Sequence, residues 1–328
     1  MPTGLVYHDA FLAHDTGPTH PERPSRLRAI LQTLEQHHHL DAMPRLEAAP
    51  ATRADLETLH DPAYVQRVFD AAARDRPYVD TPECPLSPGT LDAALLAVGG
   101  VFAAVDAVMA GEVDNAFCAV RPPGHHAEAD RATGFCFFGN VALAAERLMR
   151  RHGLSRVAVV DFDVHHGNGT QHLFEDRGDV LFCSIHQHPT TLYPGTGFSY
   201  ERGRGAGEGL TVNVPLDPGA GDAEFRHALV YQIMPALHAF APAFVLLSAG
   251  FDAARDDPLA QLDVTPEAFR WATGFLKKQA EKHCGGKLVS VLEGGYNLRS
   301  LSECVSLHVA ALRREEAEDG TMAMKAGM

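Results

Sequence analysis

Short runs of β-branched and aromatic residues alternate with longer amphipathic stretches along most of this chain. The runs fall at residues 5–7, 115–120, 156–162, 180–185, 210–214, 244–248 and 288–292. Two of them contain Val157-Ala158-Val159-Val160 and Phe244-Val245-Leu246-Leu247, apolar at every position, as strands covered on both faces are. The intervening stretches predict helices. Residues 91–110 are rich in Ala, Leu and Val and stop at Gly111, and 141–152 end at Gly153, a C-terminal glycine cap. Residues 222–240 open on an acidic cap, and Thr265-Pro266-Glu267 sets a cap, a first-turn proline and a carboxylate in the favoured order. Strand–helix alternation with such strands implies a central, mainly parallel sheet, helices on both faces and right-handed crossovers. The expectation is a single three-layer α/β domain over 1–314, followed by an acidic, Met-rich tail, 315–328, that reads as flexible.

Composition narrows the class. Hydrophobic residues are 45% and charged residues 21% of 328, which excludes disordered, collagen-like and disulfide-scaffold chains. With no continuous apolar stretch of about 18 residues, no membrane span is expected. Met1-Pro2-Thr3-Gly4 lacks the basic-then-apolar layout of a secretion signal, so a cytoplasmic enzyme is expected. Acidic residues outnumber basic ones, 42 to 28, for a net charge of −14. That field disfavours nucleic acid and anionic membrane and favours a cationic substrate such as a lysine-rich tail or a polyamine. Cys84, Cys118, Cys136, Cys183, Cys284 and Cys304 show no C-x-x-C spacing and read as free buried thiols. His37, His38 and His39 read as a solvated patch at a helix end.

Candidate chemistry lies where the strands end, which is where open α/β sheets bind ligands. Arg121-Pro122-Pro123-Gly124-His125-His126 follows one run, and Asp161-Phe162-Asp163-Val164-His165-His166-Gly167 another. Ser184-Ile185-His186, Ser248-Ala249-Gly250-Phe251-Asp252 and Glu293-Gly294-Gly295-Tyr296 end three more. If the strand continues through 161–165, Asp161, Asp163 and His165 share one side. Two of them, with Asp252 brought close by Gly250, make a three-ligand metal site with an open position. Two carboxylates and an imidazole suit Zn²⁺, and Fe²⁺, Co²⁺ or Mn²⁺ would be accepted. Such a site lowers the pKa of water less than three histidines would, so it needs a separate base, which His125 and His126 can supply. Asp161 and Asn168 are candidate acceptors for orienting those rings. Tyr296 can donate to a developing oxyanion.

With these motifs in view, the chain resembles the zinc-dependent histone deacetylase and acetylpolyamine amidohydrolase superfamily on the arginase-like fold. Within it, the class II type and its bacterial homologues are most similar. The resemblance also rests on His20-Pro21-Glu22-Arg23-Pro24, Gly134-Phe135-Cys136 and Tyr193-Pro194-Gly195-Thr196-Gly197. It implies Zn²⁺ on Asp163, His165 and Asp252, with Tyr296 polarising the amide carbonyl. It makes His126 general base and then acid, with His125 as electrostatic partner and Asp161 orienting His125. Asn168 stands where class I enzymes carry aspartate on the second histidine. A structural K⁺ on Asp161, Asp163, His165, Ser184 and Ile185 is implied as well. Gly134, Phe135, Tyr193, Leu259, Gly294 and Gly295 would form the substrate channel.

The implied reaction is hydrolysis of an N-acyl amine, an acyl-lysine in a protein or peptide. Two departures bear on the substrate. Leu259 takes the place of an acidic gatekeeper found in polyamine-selective relatives, and Gly89 replaces a side chain that anchors peptide backbone in others. Family members more often carry Phe at the position of Tyr193. The alternatives are acetylpolyamine hydrolysis, a two-manganese ureohydrolase on the same fold, and a catalytically silent acyl-lysine-binding module. Oligomeric state is left open between monomer and homo-oligomer.

Overall fold

The computed structural model describes residues 2–313, so the tail expected to be flexible lies outside the described residues. Seven strands form one sheet: β1 (Thr3–Val6), β2 (Asn115–Cys118), β3 (Val157–Asp161), β4 (Val180–Gln187), β5 (Thr211–Leu216), β6 (Phe244–Ala249) and β7 (Leu288–Leu292). Their order is β1-β2-β7-β6-β3-β4-β5, and every pairing is parallel. Each coincides with an apolar run of the sequence, and the inner strands are buried along their whole length. Register sets Asp161 beside Ser184 on one side and Ser248 on the other. The C-terminal ends of β2, β7, β6, β3 and β4 are thus adjacent, and all five polar clusters share one edge of the sheet.

Two groups of helices cover the sheet. Thr90–Ala110 and Asn140–His152 pack on each other and on the strands, while Ser25–Gln36, Pro266–Cys284 and Leu298–Leu312 form the other group. Gly111 and Gly153 end their helices in the left-handed conformation, at φ 72° and 67°. Thr265 caps Pro266–Cys284 through a hydrogen bond from Ala268 N.

Three expectations need correction. Helix Thr90–Ala110 is long and apolar enough to cross a membrane by composition, but 72% of its most apolar window is buried inside the protein. It is a core helix packed on β1, β2 and β7. Residues 222–240 are not one regular helix: Asp222–Ala228 and Met234–Phe240 flank a π-helical turn at Leu229–Ile233. Pro235 has no N–H to return to the preceding turn, which fits the break in register. The cap is Gly221, with Asp222 in the first turn. His37 and His38 are exposed, whereas His39 is buried, with Ser306 and Arg313 against its ring nitrogens. The six thiols are free and buried as expected.

Candidate active site

β3 ends at Asp161, so simple strand alternation does not bring the ligands together. A turn does. Asp161 Oδ1 accepts Asp163 N at 3.0 Å, and Asp163 Oδ1 accepts His165 N at 2.9 Å. Each carboxylate thereby fixes the backbone two residues on, and Asp163 and His165 swing toward the end of β6. There Asp252 Oδ1 accepts Val164 N at 2.8 Å. One atom from each of Asp163, His165 and Asp252 lies within 4.8 Å of the others, all three side chains buried. Two glycines make the approach possible. A Cβ on Gly250 would stand 2.0 Å from Asp163 Oδ2, and one on Gly294 would stand 2.0 Å from Asp252 Oδ2.

These residues fit a divalent cation. His165 Nδ1 is 3.0 Å from Asp163 Oδ1 and 3.2 Å from Asp252 Oδ2. Ligands ~2.0 Å from a tetrahedral ion stand about 3.3 Å apart. The single Nδ1 proton serves Asp163, and Asp252 Oδ2 is buried without any hydrogen bond. Burial, then the neighbouring Asp163 charge, pushes the Asp252 carboxyl up. Burial opposes a charged His165 ring, but the adjacent carboxylates of Asp163 and Asp252 outweigh it and lift its pKa to about 10. A proton at Nδ1 between two carboxylates stands where a metal ion would. Burial of Asp161 raises its carboxyl to about 6 despite His125 beside it. So many buried carboxylates at one point require a cation.

Facing this cluster are two imidazoles. Their ring centroids are 4.0 Å apart. Glu293, wholly buried at the end of β7, accepts Gly124 N at 2.7 Å and His125 N at 3.2 Å, which anchors the Pro-Pro-Gly turn. Burial raises the Glu293 carboxyl to about 7. His125 Nδ1 lies 2.9 Å from Asp161 Oδ2, and His126 Nδ1 lies 2.6 Å from Asn168 Oδ1. The anionic partner decides the charge. Burial disfavours both imidazoliums, but Asp163 and Asp161 hold the His125 pKa well above its ordinary value. His126 has a neutral amide instead, and burial followed by the charges on His125 and His165 drives its pKa far down.

Tyr296 stands on the opposite wall, half-buried, with its ring 6.0 Å from Phe135 and the Arg26 guanidinium 5.0 Å from its centroid. Burial, then Asp252, pushes its phenol well above the ordinary value, so it keeps its proton. Tyr193 lies across from it, 5.1 Å from His126 and 6.4 Å from His165 between ring centroids. Phe135 holds φ 67°, a conformation a non-glycine residue rarely adopts, and Gly134 before it rests on His126, where a Cβ would be 2.3 Å from Cδ2. Gly134 and Tyr193 thus flank His126, Gly294 packs on Asp252, and Phe135 meets the edge of Tyr296. Leu259 is half-exposed on the loop after Asp252. Ser184 and Ile185 lie at the end of β4, with Ser184 Oγ 2.8 Å from His186 Nδ1.

Several groups that were not expected as site residues support this site. Arg26, fully buried, donates to the carbonyls of Gly295 and Glu293 at 2.6 Å each, and so fixes the Tyr296 loop. Glu22 pairs with Arg26 and Arg121 beneath it. Asp257 accepts Leu259 N at 3.0 Å and Tyr296 N at 2.7 Å, which ties the Leu259 loop to the Tyr296 backbone. Burial, then Asp252, raises its carboxyl to about 7. Glu83 accepts Thr133 Oγ1 and Gly134 N behind the channel wall. Gly89 has no room for a side chain, since a Cβ would meet Ala13 Cβ at 2.5 Å. Only motif likeness pointed to that position, and local packing explains its glycine.

Comparison with known proteins agrees with this geometry. The histone deacetylase domain model matches residues 20–312. A histone deacetylase-like amidohydrolase of Pseudomonas aeruginosa is 41% identical over 85% of this chain and 73% of its own length. The polyamine deacetylase HDAC10 of Homo sapiens is 40% identical over 97% of this chain, which spans only 49% of that protein. Among solved structures, the HDA15 HD domain superposes with a TM-score of 0.89 at 38% identity, covering 95% of this chain and 91% of that one. A sheet edge built for amide hydrolysis and a family match over nearly the whole chain lead to one assignment: the protein belongs to the histone deacetylase family and is a deacetylase-type amidohydrolase.

Proposed function

We propose that the protein removes acyl groups of the acetyl type from the ε-amine of lysine in proteins or peptides, with one Zn²⁺ on Asp163, His165 and Asp252. The observation that carries this reading is the convergence of those three side chains beside His126, with Gly294, two residues before Tyr296, donating its N–H to Asp163. The bound cation would supply Lewis-acid polarisation of the amide carbonyl and of the attacking water. His126, neutral and with Nδ1 turned to Asn168, offers Nε2 as the base that takes a proton from water. His125, fixed by Asp161, keeps positive charge beside it. As the carbonyl carbon becomes tetrahedral, the Tyr296 hydroxyl donates to its oxygen. His126 then returns the proton to the amine nitrogen as the C–N bond breaks, leaving a carboxylate and a free amine.

The channel walls support a slender substrate stem. Phe135 and Tyr193 present aromatic faces suited to a lysine's methylene chain, and the net charge of −14 favours a cationic substrate. Leu259, uncharged at the rim, favours acyl-lysine over an acylpolyamine, whose remaining ammonium groups need an acid there. Acylpolyamine hydrolysis is the second reading, favoured by Glu83 behind Thr133 and by the similarity to the human polyamine deacetylase HDAC10. A structural K⁺ would draw on Asp161, Asp163, His165, Ser184 and Ile185, where the adjacent ends of β3 and β4 bring oxygen donors together. The test is a panel of acetyl-lysine and longer acyl-lysine peptides against N-acetylputrescine and acetylspermidine, with and without a zinc chelator. Chelator-sensitive turnover with higher kcat/KM on the peptides supports the reading. Preference for the polyamines by tenfold or more replaces it with the second, and no turnover of any substrate refutes both.

A further inference from the structure

Behind Asn168 lies a carboxylate that the reaction does not touch. Asn168 Nδ2 donates to Glu128 Oε1 at 2.5 Å, and both side chains are buried, at 5% and 6% exposure. Glu128 is itself held. Its backbone N–H donates to Arg131 O at 3.1 Å, and its carbonyl lies 2.8 Å from His60 Nδ1. His172 Nδ1 lies 2.9 Å from both carboxylate oxygens, and Arg131 Nη2 is 3.8 Å from one of them. A chain of contacts therefore runs from the exposed His172 through Glu128 and Asn168 to His126.

The elementary chemistry of these groups gives that chain a direction. A carboxylate only accepts hydrogen bonds, whereas an amide has one accepting and one donating end. With Glu128 on one side, Asn168 must turn its NH₂ that way and its oxygen toward His126. The oxygen in turn only accepts, so His126 must carry its proton on Nδ1 and keep the Nε2 lone pair free. We infer that Glu128 is a positioning residue that sets the tautomer of His126 by locking the orientation of the Asn168 amide. An aspartate at 168 would need no such lock, since both its oxygens accept. The amide leaves His126 less basic, and an acceptor-only neighbour is what makes an amide safe in that place. The inference rests on the reading of His126 as general base; the tautomer itself does not.

The test is a charge swap across the Glu128–Asn168 contact in metal-loaded protein. In Glu128→Gln the new NH₂ can donate to Asn168 Oδ1, which lets the amide turn its own NH₂ to His126 and moves the ring proton to Nε2. Turnover should fall about 10–100-fold, up to the low end of the 10²–10⁴ that a general base contributes. KM and metal content should stay within twofold. Asn168→Asp alone sets two carboxylates against each other and should be impaired as well. The double variant, Glu128→Gln with Asn168→Asp, restores an acceptor for His126 and a donor for that acceptor, and should recover to within about fivefold of the parent. Nitrogen-15 histidine spectra should show His126 protonated at Nδ1 in the parent and double variant and at Nε2 in Glu128→Gln. Parental turnover and an unchanged tautomer in Glu128→Gln would overturn the inference, as would a double variant no better than the poorer single one. If the parent itself hydrolyses no acyl amine, the proposed function fails while the spectra still decide the role of Glu128.

Discussion

Asp252 Oδ2 lies 3.2 Å from His165 Nδ1 and accepts no hydrogen bond, although it is fully buried. A buried carboxylate oxygen left in that state is costly unless a cation takes it up. Asp252→Asn keeps the volume and removes the anionic ligand. It should hold less than one-tenth equivalent of zinc by elemental analysis, against about one for the parent. Because it also removes an unpaired buried charge, the metal-free variant should melt no lower than the metal-free parent. Full zinc occupancy would contradict the ligand assignment.

Tyr296→Phe separates binding of the metal from use of the phenol. No hydrogen bond within the described residues depends on that hydroxyl, and Arg26 still faces the ring. Zinc content and Tm should be unchanged, while kcat falls by about 10²–10³, the usual cost of one oxyanion donor. Steady-state kinetics check it, and parental kcat would remove Tyr296 from the reaction.

The strand positions, the shared sheet edge and the residues at it were legible in the sequence, because apolar runs and strand-end polar clusters are local signals. The ligand geometry was legible for a partly wrong reason. Alternation along β3 suggested a common side for Asp161, Asp163 and His165, but the strand stops at Asp161 and side-chain-to-backbone hydrogen bonds turn the chain. Asp161 serves His125 instead. Arg26, Asp257 and Glu128 could not be found locally. Their partners lie 269, 39 and 40 residues away, and isolated charged residues on helices and loops look like ordinary surface until the fold buries them. His39 misled for the same reason, since its partners are on the last helix.

Four buried histidines make the fold sensitive to acid. Burial lowers the pKa of His14, His60 and His186 to about 4 and of His308 to about 3. Between those values and about 6.5 each of these four rings binds a proton in the unfolded chain but not in the folded one, so the stability they contribute rises with pH. It is complete above about 6.5 and is lost as pH falls toward 4. His308, between Thr273 and Ser290 in the core, offers the cleanest check. Denaturant unfolding of His308→Asn should show lower stability at pH 7.5 and a shallower fall below pH 6, by up to about 1.4 kcal/mol per pH unit. An unchanged slope would show that this ring is not proton-free in the folded state.

Tyr193 is held by more than packing. Thr133 Oγ1 donates to Glu83 at 3.0 Å, which leaves the Tyr193 hydroxyl, 2.5 Å away, to donate to Thr133. Tyr193→Phe breaks this link across the channel mouth while keeping the ring. Turnover of acetyl-lysine should change less than threefold, and kcat/KM for longer acyl chains should rise relative to acetyl as the wall loosens. A series of acyl-lysine peptides measures it; an unchanged acyl preference would show that the hydroxyl has no part in selectivity.

The most direct measurement is a zinc titration of chelator-treated protein, read simultaneously as acetyl-lysine turnover and as bound metal. Turnover should be absent at the start, rise in proportion to zinc and stop rising at one equivalent per chain, with no rise in Asp252→Asn. Full turnover in the metal-free protein, or a plateau reached only at two equivalents, would contradict a single-cation site at Asp163, His165 and Asp252.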